Sequence, residues 1–328
     1  MAAQTARTEF AQALKAVATQ YSIGIDIIIE KIKEAVIAAY KRDAKERNEE
    51  TEGFEFEAEI HPVTGEIKIF SYPEGKKEER KDVTPPGFGR IAAQTAKQVI
   101  HQRIREAEKG AIMDEFEGRV GSLITGMILR FDGLTVKIEI GKTEGVMPAE
   151  ERIPTERLSL NQRLTFLFKG IRDGIRGKEI VLSRSDPQFV VKLFAREVPE
   201  IASGSVEIKG IARDPGIRTK IAVFSGTSGV DPVGSCVGQK GVRVQAVTNE
   251  LNGERIDIIP YNEDAKEYIK SSLSPVEVTS IKITKTTKKA TVTVAEEQLS
   301  IAIGKDGQNV RLASKLTGYE IDIKGDVK

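Results

Sequence analysis

The chain has 328 residues, of which 39% are hydrophobic and 30% charged, and this predicts a soluble protein folded into several domains. A formal net charge of +1 argues against a purely electrostatic, histone-like nucleic-acid binder. The single cysteine, Cys236, excludes an internal disulfide. We find neither a signal peptide nor an apolar run long enough to cross a membrane, so we expect a cytoplasmic protein with no membrane contact.

The sequence pattern of residues 1–115 predicts a helical unit with one β-hairpin. Apolar residues recur at three-and-four spacing from residue 26 to about 45 and again from residue 88 to about 108, which is typical of two core-facing helices. Between them, alternation over 54–60 and 66–72, around a turn at 61–65, predicts a hairpin, and residues 73–86 predict a loop. The unit is slightly acidic and shows no catalytic cluster, so we expect it to bind a protein partner.

Five short strands are predicted next, around residues 119–128, 134–140, 143–148, 164–171 and 179–183. Their number and their Gly-rich turns indicate an OB-type β-barrel, a fold that binds single strands by stacking bases on aromatic side chains over a basic groove. Aromatic residues are few in this stretch, and Phe166 and Phe168 fit the core at least as well as a binding surface. We therefore expect a minor RNA contribution from Arg130, Phe131, Arg172 and Arg176.

A Gly-x-x-Gly motif occurs twice in the remaining chain, at residues 238–241 and 304–307. Each copy follows a short apolar run and precedes an amphipathic helical pattern with an arginine, Arg243 or Arg311. Similar segments that contain Ile-Asp-Ile, at 256–258 and 321–323, close the two copies. A repeat of about 65 residues, matched at both the loop and the closing strand, indicates a duplicated domain.

Each copy predicts the order helix, strand, strand, helix, Gly-x-x-Gly, helix, strand, which is that of the bacterial (type II) KH domain, whose loop clamps about four nucleotides. In the first copy, Asp186 is the expected N-cap and Pro187 the first helical residue. Paired glycines leave no Cβ between the loop and a nucleic-acid backbone, and the next helix offers N–H groups that attract phosphate. The alternative, in which the glycines are helix C-caps, explains one glycine of each pair. No flexible linker separates the copies, so we expect one rigid body.

We therefore predict RNA-binding residues in and around both loops, on the neighbouring strands and on the barrel. The candidates are Gly238, Gln239, Lys240, Gly241, Arg243, Gly304, Lys305, Asp306, Gly307, Asn309, Arg311, Arg213, Arg218, Lys220, Arg130 and Phe131. The sequence has no metal-ligand spacing and no phosphate-binding P-loop, so we expect neither a metal nor a cofactor.

Three stretches resemble the NusA family of bacterial transcription termination/antitermination proteins: FGRIAAQTAKQVI at 88–100, LFAREVPEI at 193–201 and AIGKDGQNVRLA at 302–313. The resemblance covers essentially the whole chain. It implies a multidomain α+β protein with a polymerase-binding N-terminal domain at 1–115, an S-one-type OB barrel at 116–185, and tandem type II KH domains at 186–261 and 262–328.

The resemblance also implies a monomeric, non-enzymatic elongation factor. Its N-terminal domain is expected to dock on the β-subunit flap of RNA polymerase near the RNA exit channel, while the barrel and KH domains hold nascent single-stranded RNA. Together with other Nus antitermination factors it is expected to modulate pausing, intrinsic termination and antitermination.

Two other functional classes remain open from the sequence. An RNA-processing enzyme can combine barrel and KH modules, as polynucleotide phosphorylase does, but it needs a catalytic domain. Here His61 and His101 fall in a predicted turn and on a helix, and Cys236 fits a small core residue better than a nucleophile. A ribosome-associated RNA-binding protein would account for residues 186–328 and leave the N-terminal unit without a role.

Overall fold

A computed structural model of the chain describes residues 15–16, 18–19, 24–61, 65–174 and 177–326. Positions 62–64 of the predicted hairpin turn, and the candidate Arg176, lie outside the described residues. The chain divides into two units between Glu115 and Phe116. In the described ranges, no helix combines the length and apolar character that a membrane crossing requires.

The first unit packs two helices on a small sheet. Its elements are α1 (Ile25–Glu46), β1 (Phe54–Ile60), β2 (Ile67–Pro73), β3 (Lys81–Asp82) and α2 (Phe88–Glu117). Helix α1 buries Ile28, Ile32 and Val36, the predicted stripe, in a cluster that also contains Ile69 and Phe88. Strands β1 and β2 are antiparallel, from Phe54 opposite Pro73 to Ile60 opposite Ile67. The two helices and the two paired strands are therefore present where the sequence predicted them.

Two predictions for this unit need correction. The stretch 73–86 contains strand β3, which pairs with β2 and is extended by a hydrogen bond from the Ile69 N–H to Thr84 Oγ1. Helix α2 continues nine residues beyond the predicted end at 108. Gly110 interrupts the apolar pattern there, but Met113 and Phe116 are buried and extend the hydrophobic face of the helix by two more positions.

Five strands between Leu123 and Ser183 form a closed barrel, in the order β4-β5-β6-β8-β7. The strands are β4 (Leu123–Asp132), β5 (Thr135–Ile140), β6 (Thr143–Met147), β7 (Arg163–Gly174) and β8 (Gly177–Ser183). Phe166 and Phe168 are fully buried, so they fill the core, as the sequence suggested. Strand β4 begins at Leu123, four residues later than predicted, because the preceding residues form turns.

The first KH domain contains α3 (Pro187–Glu197), α4 (Pro199–Ala202), β9 (Glu207–Asp214), β10 (Arg218–Phe224), α5 (Pro232–Val237), α6 (Val242–Glu250) and β11 (Arg255–Pro260). Strand β10 is central, antiparallel to β9 and parallel to β11. Asp186 caps α3 by accepting a hydrogen bond from the Gln188 N–H, and Pro187 is the first helical residue, which confirms the predicted N-terminus.

The second KH domain repeats this topology with α7 (Ala265–Ser272), β12 (Val278–Thr284), β13 (Lys289–Ala295), α8 (Leu299–Ile303), α9 (Gln308–Thr317) and β14 (Glu320–Asp326). Strand β13 is central, antiparallel to β12 and parallel to β14. The duplication inferred from the sequence is therefore a duplication of the whole fold.

Buried side chains join the barrel to the first KH domain and the first KH domain to the second. Ile153 and Leu167 of the barrel region share one cluster with Phe189 and Leu193 of α3. A second set, called the inter-KH cluster below, consists of Ala212, Ala222, Ile259, Tyr268, Leu312 and Leu316, three from each KH domain. These shared cores fix the three domains to one another, as expected for KH domains without a flexible linker.

Candidate nucleic-acid interface

The two Gly-x-x-Gly loops have the same backbone conformation. The first glycine has φ/ψ of 73°/173° at Gly238 and 75°/170° at Gly304. The third residue is left-handed in both loops, with φ of 52° at Lys240 and at Asp306. A left-handed conformation costs a non-glycine residue about 1–2 kcal/mol, so its recurrence indicates a shape that the surrounding fold imposes.

The two glycines of a loop serve different purposes. Gly304 is the C-cap residue of α8, and a Cβ there would lie 2.8 Å from Asn309 Cβ and 2.9 Å from the Asn309 backbone nitrogen. Gly307 instead precedes α9, has φ of 70°, and would place a Cβ with nothing within 4 Å. The C-cap interpretation thus accounts for the first glycine only. Positive φ favours glycine at both positions, and the open side of the second leaves room for a ligand backbone.

Helices α6 and α9 begin directly at these loops, and neither has a side-chain cap on its first turn. The first N–H group of each helix, at Val242 and Gln308, donates to the carbonyl of Gln239 or Lys305 within the loop. The positive end of the helix dipole still favours an anion at each loop. Gln239, Lys240 and Lys305 are exposed at the same points, together with Asp306. The arrangement suits a phosphate group that lies against each loop.

Arg243 and Asn309 hold the two loops closed from equivalent positions. Arg243 Nη1 donates to the Ser235 carbonyl at 2.6 Å and pairs with Glu200 Oε2 at 2.9 Å. Asn309 Nδ2 donates to the Ala302 carbonyl at 3.0 Å. Each side chain ties the helix after its loop to the helix before it. Glu200, on α4, was not predicted from the sequence, because its partner is 43 residues away.

Asn309 does not fit the predicted RNA contact, because its side chain is buried and its Nδ2 group donates inside the fold. Arg243 is partly exposed but engaged by Glu200, whose pKa is lowered by its own backbone N–H and by Arg243. Arg311 lies on the exposed side of α9, where its Nη2 is 3.1 Å from Asp214 of the first KH domain.

Arg213 and Lys220 are also wrong as predicted RNA contacts. The Arg213 side chain is 0% exposed, with Nε and Nη2 each donating to Glu254 at 2.9 Å. Lys220 is likewise 0% exposed, and its Nζ lies 2.8 Å from Asp257 Oδ2. Burial lowers the pKa of Lys220, and Asp257 opposes that shift. Arg218 is partly exposed and shares Asp257 at 2.8 Å.

The barrel candidates lie at the end of β4 and on β7. Arg130 forms a two-pronged pair with Glu144, at 2.9 and 3.1 Å, so its charge is already balanced. Phe131 is 40% exposed and available for stacking. Arg172 lies 3.5 Å from Glu179. Phe131 thus fits the predicted role better than the two arginines.

Cys236 occupies the last turn of α5, just before the first loop. It is fully buried and free, and burial raises the pKa of its thiol to about 11. A protonated, enclosed thiol is a poor nucleophile, which supports its interpretation as a core residue.

Comparisons with known proteins agree with this organisation. Three family models match: the NusA N-terminal domain at residues 9–82 and 74–110, the NusA-like first KH domain at 184–261 and the NusA-like second KH domain at 265–328. The transcription termination/antitermination protein NusA of Bacillus subtilis is 40% identical over 344 residues, which span 97% of this chain and 91% of that protein. The protein of the same name from Mycobacterium tuberculosis is 43% identical, over 96% of this chain and 92% of that protein.

Among solved structures, the N-terminal domain of NusA from B. subtilis is 34% identical and covers 31% of this chain and 98% of that domain, with a TM-score of 0.26. The crystal structure of APE1850 is 23% identical and covers 42% of this chain and 96% of that one, with a TM-score of 0.32.

Proposed function

Because the chain belongs to the NusA family of transcription termination/antitermination proteins, we propose that it binds RNA polymerase through residues 1–115 and holds nascent single-stranded RNA with its barrel and two KH domains. Membership makes it a non-enzymatic transcription factor. The proposed domain limits are 1–115, 116–185, 186–261 and 262–328. The proposed dock is the β-subunit flap near the RNA exit channel, where the monomeric factor modulates pausing, termination and, with other Nus factors, antitermination.

The repeated loop is the observation that carries the RNA-binding proposal. Two loops of the same conformation, each open at its second glycine, precede two uncapped helices in domains that share the inter-KH cluster. Two phosphate clamps at a fixed separation suit one flexible polyanion better than two separate small ligands. A ribosome-associated role would leave unexplained the match of residues 9–110 to the NusA N-terminal domain.

The two loops differ in charge. The central residues of the first loop are Gln239 and Lys240, with a net charge of +1, and those of the second are Lys305 and Asp306, which cancel. Since the backbone conformations match, we expect the first loop to contribute more of the salt-dependent part of RNA affinity.

The test replaces Gln239, Lys240 and Lys305 with aspartate. Carboxylates at the phosphate positions should lower the affinity for single-stranded RNA at least about tenfold, equivalent to about 1.4 kcal/mol. The melting temperature should change little, because all three residues are exposed and Asp is tolerated in the left-handed conformation of Lys240. Binding to RNA polymerase should persist.

The matched control carries Lys282→Asp, Lys285→Asp and Thr286→Asp, which make the same change in net charge at exposed positions of the β12–β13 hairpin. This control should keep most of its RNA affinity. Equal losses in the two variants would mean that net charge, and not the loops, controls binding. Normal RNA affinity of the loop variant would identify the loops as structural turns.

A further inference from the structure

We propose that the RNA strand held at the first loop continues along helix α6 into a cleft between the barrel and the first KH domain, where Arg157 and Arg163 bind its phosphates. The inference rests on the proposed RNA binding by the KH loops. It assigns a contact at the opposite end of α6 from the Gly-x-x-Gly loop and adds two arginines that the sequence did not single out.

The cleft is polar, and residues of both domains line it. The barrel region contributes Arg157, Gln162 and Arg163, and the first KH domain contributes Ala246, Asn249 and Asn252. Guanidinium groups bind phosphate oxygens in a two-pronged geometry, and side-chain amides both donate to and accept from base edges. This lining therefore fits a nucleic-acid strand better than an apolar ligand.

The charges inside the cleft are arranged to leave a positive surface. Glu156 and Glu250 also line it, but both are bound by the buried guanidinium of Arg184, at 2.6 and 3.1 Å. Arg184 further donates to the Glu250 carbonyl at 2.6 Å. Arg157 and Arg163 are exposed, and neither forms an ion pair or a side-chain hydrogen bond within the described part of the chain. Glu250 Oε2 also lies 3.7 Å from Arg196 Nη2, so two arginines balance the two carboxylates, while Arg157 and Arg163 face outward.

The exposed face of α6 connects the first loop to this cleft. Val242, which is 67% exposed, lines the groove beside the first loop together with Gln239. Gln245 and Ala246 follow one turn later on the same face, and Ala246 and Asn249 line the cleft. Gln245 Nε2 donates to Asn249 Oδ1 at 2.8 Å, so polar groups continue along the helix. The nine residues of α6 span about 13 Å, a distance that an extended strand bridges easily.

The experiment measures how RNA affinity depends on strand length in the full chain. Single-stranded RNAs of about eight nucleotides, which two KH loops can clamp, are compared with RNAs of about sixteen nucleotides extended at either end. The test variant carries Arg157→Gln and Arg163→Gln. The matched control carries Lys282→Gln and Lys285→Gln, which remove the same charge from exposed residues of the β12–β13 hairpin.

We expect the test variant to bind the short RNA like the unmodified protein and to bind one of the long RNAs about fivefold more weakly, with a salt slope reduced by about 1.4 for two lost phosphate contacts. The control should show neither effect. An unchanged affinity for the long RNAs would overturn the cleft assignment, as would an equal loss for short and long RNAs. Failure of the unmodified protein to bind either RNA would instead overturn the proposed function. The single variants Arg157→Gln and Arg163→Gln, each with about half the effect on the salt slope, replace the double variant if its melting temperature falls.

Discussion

Glu254 lies at the centre of a hydrogen-bond network inside the first KH domain. It accepts from Nε and Nη2 of Arg213, from Thr219 Oγ1 at 2.5 Å and from the Gly216 N–H at 2.7 Å. The side chains of Glu254 and Arg213 are both fully buried. Breaking a buried pair on one side leaves an uncompensated charge, which costs far more than the net contribution of the intact pair.

Arg213→Met should therefore lower the free energy of unfolding by about 3–5 kcal/mol, measured by urea denaturation. The folded fraction should keep its RNA affinity, because Arg213 does not reach the surface. The double variant Arg213→Met/Glu254→Gln should recover part of the loss, since no unpaired charge then remains. A selective loss of RNA affinity with unchanged stability would restore Arg213 as an RNA contact.

The glycines of the second loop offer a second test at the same scale. Gly304→Ala should lower the free energy of unfolding by about 2–4 kcal/mol, because the added Cβ meets the backbone of Asn309 in a conformation that only glycine adopts readily. Gly307→Ala should cost only about 1–2 kcal/mol, because its left-handed conformation is strained but its Cβ meets no neighbour. Equal costs would show that conformation alone, and not packing on α9, requires the first glycine.

Roles of single residues that depend on neighbours in the sequence could be predicted, whereas ion-pair partners far away in the sequence could not. The capping role of Asp186 and the core role of Cys236 follow from their immediate neighbours. Arg213, by contrast, is 41 residues from Glu254, and no local pattern distinguishes a buried ion pair from an exposed cation. The role of Asn309 could not be predicted either, since it depends on how α8 and α9 pack together.

At the scale of elements, α9 contributes to two domains at once. Its Ala313 lies in the core of the second KH domain, whereas Leu312 and Leu316 belong to the inter-KH cluster. Gln308 and Arg311, on its first turn, both contact Asp214, at 2.8 and 3.1 Å. The helix that begins at the second loop is therefore also the helix that fixes this loop relative to the first KH domain.

Leu312→Ala should lower the free energy of unfolding by about 2–5 kcal/mol, because Leu312 is fully buried and the change leaves a cavity between the domains. The control, Ile301→Ala, lies in the same domain at a side chain that is 56% exposed and should cost about 0.5 kcal/mol or less. Thermal unfolding of the unmodified protein should show the two KH domains melting together. Separate transitions, with a small effect of Leu312→Ala, would mean that the shared cluster contributes little.

Element types were predictable wherever periodicity was strong. The stripe of α1, the alternation of β1 and β2 and the duplicated KH order each follow from residues that face one core. Strand β3 could not be foreseen, because it has two residues and depends on Thr84 bonding to β2. The extension of α2 past Gly110 depends on burial of Met113 and Phe116, which the sequence pattern alone did not indicate.

At the scale of the whole molecule, the chain consists of two units. The first has a hydrophobic core of its own, and in the second the barrel and both KH domains share cores. We expect residues 1–115, expressed alone, to retain RNA polymerase in a pull-down and to bind no single-stranded RNA. Residues 116–328 should bind RNA. Retention of polymerase by residues 116–328 without RNA, and not by residues 1–115, would reverse the proposed assignment.

The inter-KH cluster also makes the two KH domains non-equivalent, because each contributes a different surface to it. Strands β9, β10 and β11 present Ala212, Ala222 and Ile259 to the helices of the second domain. When the two sheets are aligned by their strand registers, the equivalent positions of the second sheet are Lys282, Thr293 and Lys324. Burying lysines away from water is costly, so this face acts as the hydrophilic cap of a two-unit array. The order of the duplicated domains is therefore fixed, because exchanging them would expose an apolar sheet to water and bury charged side chains between the domains.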